Sequence, residues 1–171
     1  RHGESFHTNH SVNGLMHRLL GNGNNLHWEG STFPPYSVVV HVATLLTGLG
    51  LTMLALWPPP GGRGRGSLPD FFLALLTVVV ASPVAWEHHY GLLLPLFACM
   101  APAAVQAGGR WNLLAWGSAF VLTGHYFQPT QFLADTVFNP LQSYALFGGL
   151  LLYPLLWRGR EGTPTMEPLA A

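Results

Sequence analysis

The chain has 171 residues, of which 8% are charged and 49% are hydrophobic, and its formal net charge is zero. Soluble domains carry about 25% charged residues, so this composition argues against a soluble protein and favours a membrane protein. Arginine supplies every basic side chain apart from histidine, and nothing in the charge balance indicates a nucleic-acid surface. The single cysteine, Cys99, excludes an internal disulfide bond.

Residues 1–36 are polar, but they contain one stretch with a helical period. Its apolar residues recur at the spacing of one helix face: Val12, Leu15, Met16, Leu19 and Leu20. This pattern predicts a short helix, with Ser11 or Asn9 as its N-cap and Gly21 as its C-terminal stop. We expect the segment to be extracytoplasmic and its helix to lie along the membrane interface. An ordinary amphipathic surface helix is the alternative.

Five apolar runs follow this segment, at residues 37–57, 69–86, 91–106, 112–127 and 141–157. The first run has the length that a hydrocarbon core of about 30 Å requires of a helix. Prolines in the third run favour a kinked or tilted span. The fold class predicted is therefore all-α, a polytopic transmembrane helical bundle of about five spans. Residues 158–171 are expected to form a disordered cytoplasmic tail.

Arginines and histidines separate between the connections of this predicted bundle. Five arginines follow the odd-numbered runs: Arg63, Arg65, Arg110, Arg158 and Arg160. The positive-inside rule makes their face cytoplasmic. All nine histidines and most acidic residues then lie on or near the opposite, extracytoplasmic face. We therefore predict a multi-pass plasma-membrane protein whose active face is extracytoplasmic.

Arg18 departs from this separation, because it lies in the extracytoplasmic segment. A guanidinium offers paired donors to phosphate. We therefore predict that Arg18 binds an anion at the outer membrane surface, and that this anion is a phosphate. A side chain that snorkels at the interface is an equally good interpretation.

An acid and two imidazoles, Glu87, His88 and His89, stand between two strongly apolar runs. Ionisable groups in such a position lose hydration, so in a membrane protein they indicate a functional site. A solvated loop between two helices is the alternative. The cluster is preceded by Ser82-Pro83 and Trp86.

Two patches of the sequence, residues 9–20 and 82–89, resemble a known family. The first patch is similar to an Asn-Gln-Ser, Asn-Gly and Arg-Leu-Leu pattern, with His10 in place of the glutamine, and the second to a Ser-Pro, Trp, acid, His-His signature. Both patterns are those of the polytopic GT-C glycosyltransferases of family 87, the bacterial polyprenol-phosphate-mannose-dependent α-mannosyltransferases. The chain resembles the C-terminal part of such an enzyme.

The resemblance implies transfer of a hexose, preferably mannose, from a polyprenyl-phosphate donor to a lipid-linked or glycan acceptor on the extracytoplasmic face. It implies catalytic roles for Glu87, His88 and His89. Glu87 would orient an adjacent imidazole or act as a substitute base, and the orienting role is favoured. The family's catalytic aspartate has no counterpart here, so the principal base is expected outside this chain. Donor phosphate and sugar are expected to contact Arg18, Asn9, Asn13 and His125. For Asn9 and Asn13, local helix capping is an equally good interpretation. No cofactor or metal is implied, and the partners are the sugar donor, the acceptor and membrane lipids.

Two other classes of function remain open. Histidines and carboxylates also bind zinc, which would suit a metal-dependent membrane hydrolase, but no His-Glu-x-x-His motif is present. A transporter or non-catalytic membrane subunit is the other alternative. It would favour charges or broken helices in the middle of the spans, whereas here the charges lie at the ends.

Overall fold

The computed structural model describes residues 4–28, 33–58 and 66–162. The regular secondary structure of these residues is entirely helical, with no strand. The α-helices are α1 (Val12–Leu19), α2 (Val38–Leu56), α3 (Leu68–Val80), α4 (Glu87–Tyr90), α5 (Leu94–Ala107), α6 (Arg110–Gly124) and α7 (Tyr144–Gly162). Short 3-10 helices cover Gly91–Leu93, Gln128–Leu133 and Asn139–Ser143. The predicted all-α class is confirmed.

Two helical stretches are long and apolar enough to cross a membrane. One is α2, with 19 residues and a mean hydropathy of 2.0, and the other is Glu87–Ala107, with 21 residues and a mean hydropathy of 1.5. The second stretch consists of α4, a 3-10 turn and α5 in succession. Helices α3, α6 and α7 fall in the other three apolar runs.

Serine side chains begin three of these helices, because a serine oxygen accepts a backbone N–H that has no partner within the first turn. Ser11 accepts from the Gly14 N–H at the start of α1, as one of the two predicted caps. Ser37 does the same for α2. Ser67 and Asp70 form a reciprocal capping box at the start of α3.

The predicted second run ends too late. Helix α3 stops at Val80, whereas the apolar pattern extended it to Trp86. Pro83 has no N–H to donate to a helix, and it disfavours a helical conformation in the residue before it. The Ser82 hydroxyl donates to the Val84 carbonyl at 2.7 Å, which closes a local turn instead. As a result, Glu87 begins the following helix rather than ending the preceding one.

The core lies between α3, α6 and α7. Leu73, Leu76 and Leu152 are fully buried there. Gly148 allows α7 to pack closely against α6, since a Cβ added to it would lie only 2.7 Å from the Leu122 Cβ. Gly50 in α2 has no such packing role, because a Cβ added there would have no packing neighbour within 4 Å.

Two further segments contain helical structure that the apolar runs did not indicate. Residues 128–140, which connect the fourth and fifth apolar runs, contain a complete 3-10 helix and the start of a second one. Residues 158–162, expected in the disordered tail, continue α7. Residues 163–171 lie outside the described part of the chain, as do Glu29, Arg63 and Arg65.

Candidate functional site

The two sequence patches that carry the family resemblance are in direct contact. The Ala85 N–H donates to Asn9 Oδ1 at 2.9 Å, and the His10 N–H donates to the Ala85 carbonyl at 2.7 Å. The Ser11 hydroxyl donates to the Pro83 carbonyl at 2.9 Å. Because Pro83 interrupts helix formation, residues 83–85 leave these backbone groups free to pair with the N-terminal segment.

Glu87 lies at the centre of a small polar group that this contact assembles. Its Oε1 is 3.4 Å from His10 Nε2 and 3.5 Å from the Tyr144 hydroxyl. The His10 side chain is 1% exposed, whereas that of Glu87 is 32% exposed. The Tyr90 hydroxyl donates to the His10 carbonyl at 2.7 Å and fixes the backbone of this residue. The imidazole that Glu87 contacts is therefore that of His10, and the orientation of an adjacent imidazole by Glu87 stays a prediction.

Burial lowers the pKa of His10, and the hydrogen bond to Glu87 offsets only part of this effect. The nearby Arg18 charge lowers the pKa further. His10 is therefore neutral at pH 7, with Nε2–H as the donor to Glu87.

A cavity of about 270 Å³ opens beside Glu87. His88, His125 and Tyr126 also line it, together with apolar side chains from α5 such as Leu94. The structure thus brings three of the predicted site residues to one cavity, although Glu87 and His125 are far apart in the sequence. A carboxylate, two imidazoles and a phenol offer both donors and acceptors to a polar ligand.

His89 has a local structural contact. Its Nδ1 accepts the Trp86 N–H at 2.9 Å, which caps the first turn of α4 and places the remaining proton on Nε2. The His88 and His89 rings are 4.3 Å apart at their centroids. The Trp86 indole donates to Glu4 Oε2 at 2.9 Å and ties this turn to the N-terminal segment.

Arg18 is buried, with 3% of its surface exposed. Its guanidinium donates to the carbonyls of Phe6 and Asn9, at 3.1 and 2.7 Å, and to the Ser143 hydroxyl at 2.6 Å. Burial lowers its pKa to about 10, so it stays cationic at pH 7. It does not line the cavity beside Glu87, and its phosphate-binding role stays a prediction.

The two asparagines also serve the packing of the N-terminal segment. Asn9 is fully buried, and its Nδ2 donates to the Glu4 carbonyl at 2.8 Å. Asn13 Nδ2 donates to Thr44 Oγ1 on α2 at 3.2 Å. Asn13 and His41 also line a separate groove of about 610 Å³. Contact of either asparagine with a sugar or phosphate stays a prediction.

Sequence reasoning missed the residues that surround Glu87. His10 differs from the family pattern, yet this difference alone does not indicate a carboxylate partner. Tyr144 and Tyr126 stand in or beside apolar runs without any polar pattern around them. His7 is a further example, since it accepts from Gln131 Nε2 at 2.9 Å across the end of the bundle.

The described residues contain no group of three or more His, Cys, Asp or Glu side chains that could hold a metal ion. The metal-dependent alternative therefore has no ligand set within this part of the chain.

The fold and the cavity define a broad class: an all-helical protein with two helices able to span a membrane and a mostly apolar cavity that presents Glu87, His88 and His125. No family model matches the chain, nor does any curated protein or solved structure.

Proposed function

We propose that the protein is an integral membrane glycosyltransferase, which transfers a hexose, preferably mannose, from a polyprenyl-phosphate donor to a lipid-linked or glycan acceptor. The observation that supports this proposal most is the contact between residues 9–11 and 83–85, which lies directly before Glu87 and the cavity that Glu87 lines. These are the two patches on which the family resemblance rests.

The chemistry requires a base for the acceptor hydroxyl and donors that stabilise the departing phosphate. His88 and His125 face the cavity and supply the donors in this proposal. Glu87 lines the cavity and contacts His10 and Tyr144, which lie behind it, and in this proposal it acts as a substitute base.

The proposal includes a bacterial plasma-membrane topology of about five spans, with the histidine-bearing end extracytoplasmic. Two exposed positions at opposite ends of the bundle test it, Asp135 and Arg110. In a Cys99→Ser background, Asp135→Cys should react with a membrane-impermeant maleimide in intact cells. Arg110→Cys should react only after permeabilisation. Reaction of both from the same side would contradict the topology.

A transferase assay tests the function. Membranes that contain the protein, expressed from its complete gene, receive radiolabelled polyprenyl-phosphate mannose and a lipid acceptor extract. We expect labelled product from the wild type and a rate about a hundredfold lower for Glu87→Gln, which is typical of losing a group that acts in proton transfer.

Asp135→Asn is the matched control, because it also neutralises one carboxylate at the same end. Asp135 is exposed and has a positive φ of 58°, a conformation that asparagine tolerates well. Its rate should equal that of the wild type. Product formation from a nucleotide-activated sugar alone, or equal rates for Glu87→Gln and the wild type, would contradict the proposal.

A further inference from the structure

A second cavity lies at the opposite end of the bundle from Glu87, close to Arg158. Its volume is about 660 Å³, and it lies where α3 and α6 begin and α5 and α7 end. Its walls are mostly apolar and include Leu68, Met100, Ala103 and Trp116. Protein interiors are packed to crystal density, so a space of this size next to apolar side chains indicates an occupant.

The cavity opens to the surroundings of the bundle. Cys99 and Ala103 line it and are exposed, and both belong to Glu87–Ala107, one of the two stretches able to cross a membrane. An apolar opening on the side of a membrane helix faces acyl chains rather than water. The occupant is therefore expected to be a hydrocarbon chain that enters from the bilayer.

The positive charge of Arg158 at the rim of the cavity favours a lipid with an anionic headgroup. Arg158 lines the cavity and is exposed, and it forms no ion pair within the described residues. Asp70, an acid at this end whose side chain the structure describes, is already paired, because its Oδ1 lies 2.6 Å from Arg160 Nε. The lining residues include no acid within the described part of the chain. An exposed guanidinium above an apolar cavity suits a phosphate that has no compensating positive charge.

We propose that this cavity binds an anionic phospholipid, with one acyl chain against Ala103 and Trp116 and the headgroup phosphate on Arg158. The site is separate from the glycosyltransferase cavity, and it places a lipid at the cytoplasmic end of the bundle. It does not depend on the protein being a transferase.

Cys99 is a built-in reporter of occupancy, since it is the only cysteine and lines the cavity. The purified protein is reconstituted into nanodiscs of dioleoyl phosphatidylcholine, with or without dioleoyl phosphatidylglycerol. The rate of Cys99 alkylation by N-ethylmaleimide is measured, and native mass spectrometry counts bound phosphatidylglycerol. We expect phosphatidylglycerol to slow alkylation and to remain bound on release from the disc.

Three variants separate the parts of the proposal. Arg158→Gln should weaken phosphatidylglycerol binding about fivefold, the equivalent of about 1 kcal/mol for one cation near an anionic headgroup. Ala103→Phe should fill the acyl-chain position and abolish the lipid effect without any change of charge. Arg110→Gln is the control, because Arg110 is exposed at the same end but does not line the cavity.

Three results would overturn the proposal. The first is equal binding of the two lipids, and the second is identical behaviour of Arg158→Gln and Arg110→Gln. The third is a Cys99 alkylation rate that is the same in both lipids, which would show that the cavity is open or is covered by protein. A dimer in the mass spectrum with slow alkylation in both lipids would identify a second copy as the occupant.

Discussion

Two arginines, one at each end of the bundle, are equally buried, but one is paired with a carboxylate and the other bonds only to neutral acceptors. Arg18 and Arg160 are each 3% exposed. Arg160 forms an ion pair with Asp70, at an angle outside hydrogen-bond geometry, and donates to the Trp57 carbonyl at 2.7 Å. Arg18 has only neutral acceptors, two carbonyls and a hydroxyl, and no carboxylate within the described residues.

The difference shows what each arginine does for the fold. The charge of Arg160 is neutralised locally by an acid from α3. Arg18 keeps an uncompensated charge, and its burial is offset by the hydrogen bonds of its two terminal nitrogens, while its Nε–H has no partner among the described residues. Its three bonds join the N-terminal segment to Ser143, directly before α7. Arg18 therefore acts as a clamp that holds the segment over the end of the bundle.

The largest expected effect on stability comes from replacing Arg18. Arg18→Met removes three charge-assisted hydrogen bonds and takes the guanidinium donor from the Asn9 carbonyl, while the Phe6 carbonyl keeps its bond from the Asn9 N–H. The loss should lower the free energy of unfolding by about 3 kcal/mol. Thermal unfolding in detergent, followed by tryptophan fluorescence, measures the change.

Arg110→Gln provides the comparison for Arg18→Met, because Arg110 is exposed and its loss should change stability by less than about 0.5 kcal/mol. Arg18→Lys should recover little of the stability, since one ammonium cannot reproduce the planar geometry of the guanidinium. Equal unfolding temperatures for Arg18→Met and Arg110→Gln would show that Arg18 is not a clamp.

A smaller effect is expected at the opposite end, where a double-mutant cycle applies. Arg160→Met leaves the partly buried Asp70 without its cation, and Asp70→Asn leaves the buried Arg160 without its anion. The double variant should be about 1 kcal/mol more stable than the sum of the two single losses, because neither charge is then left alone. Additive losses in the same unfolding measurement would mean that the ion pair contributes nothing. No comparable rescue is expected for Arg18.

The smallest effect concerns pH. Burial is the main cause that lowers the folded-state pKa of His10 below its ordinary value of 6.5, so the unfolded chain binds a proton more readily. Its contribution to stability is present above pH 6.5 and is lost as pH falls through the lower folded-state pKa. The unfolding temperature should therefore fall on acidification from pH 7.5, and His10→Gln should reduce this slope.

His27→Gln is the control for the pH measurement, because His27 is exposed and its replacement should leave the slope unchanged. His7, whose pKa is also lowered chiefly by burial, retains part of the slope in His10→Gln. Slopes that are identical in His10→Gln, His27→Gln and the wild type would contradict the assignment of His10 as a buried neutral imidazole.

Local signals in the sequence predicted much of the helical fold. The period of residues 12–20 and the serine before it gave α1 and its N-cap, and the continuous apolar run gave α2 to within one residue at each end. The end of α3 was missed because hydropathy outweighed the effect of Pro83. An apolar run gives no information about a proline that lacks the backbone N–H needed to continue a helix.

The site was predicted less completely, for a different physical reason. Glu87, His88 and His125 could be selected from the sequence, because ionisable groups beside hydrocarbon stand out. The partners of Glu87 could not, since His10 and Glu87 are 77 positions apart and meet only through the Asn9–Ala85 contact. Burial of Arg18 was missed because its position beside a helix face predicts exposure, whereas the N-terminal segment folds around it.

Photo-crosslinking with the sugar donor tests the central claim most directly, because binding does not require the principal base. A diazirine on the sugar of polyprenyl-phosphate mannose is activated in membranes, and the labelled residues are mapped by mass spectrometry. Our account predicts labels around Glu87, His88 and His125, with less labelling in Glu87→Gln. Labels confined to the arginine-bearing end, or none above the level of free mannose, would contradict it.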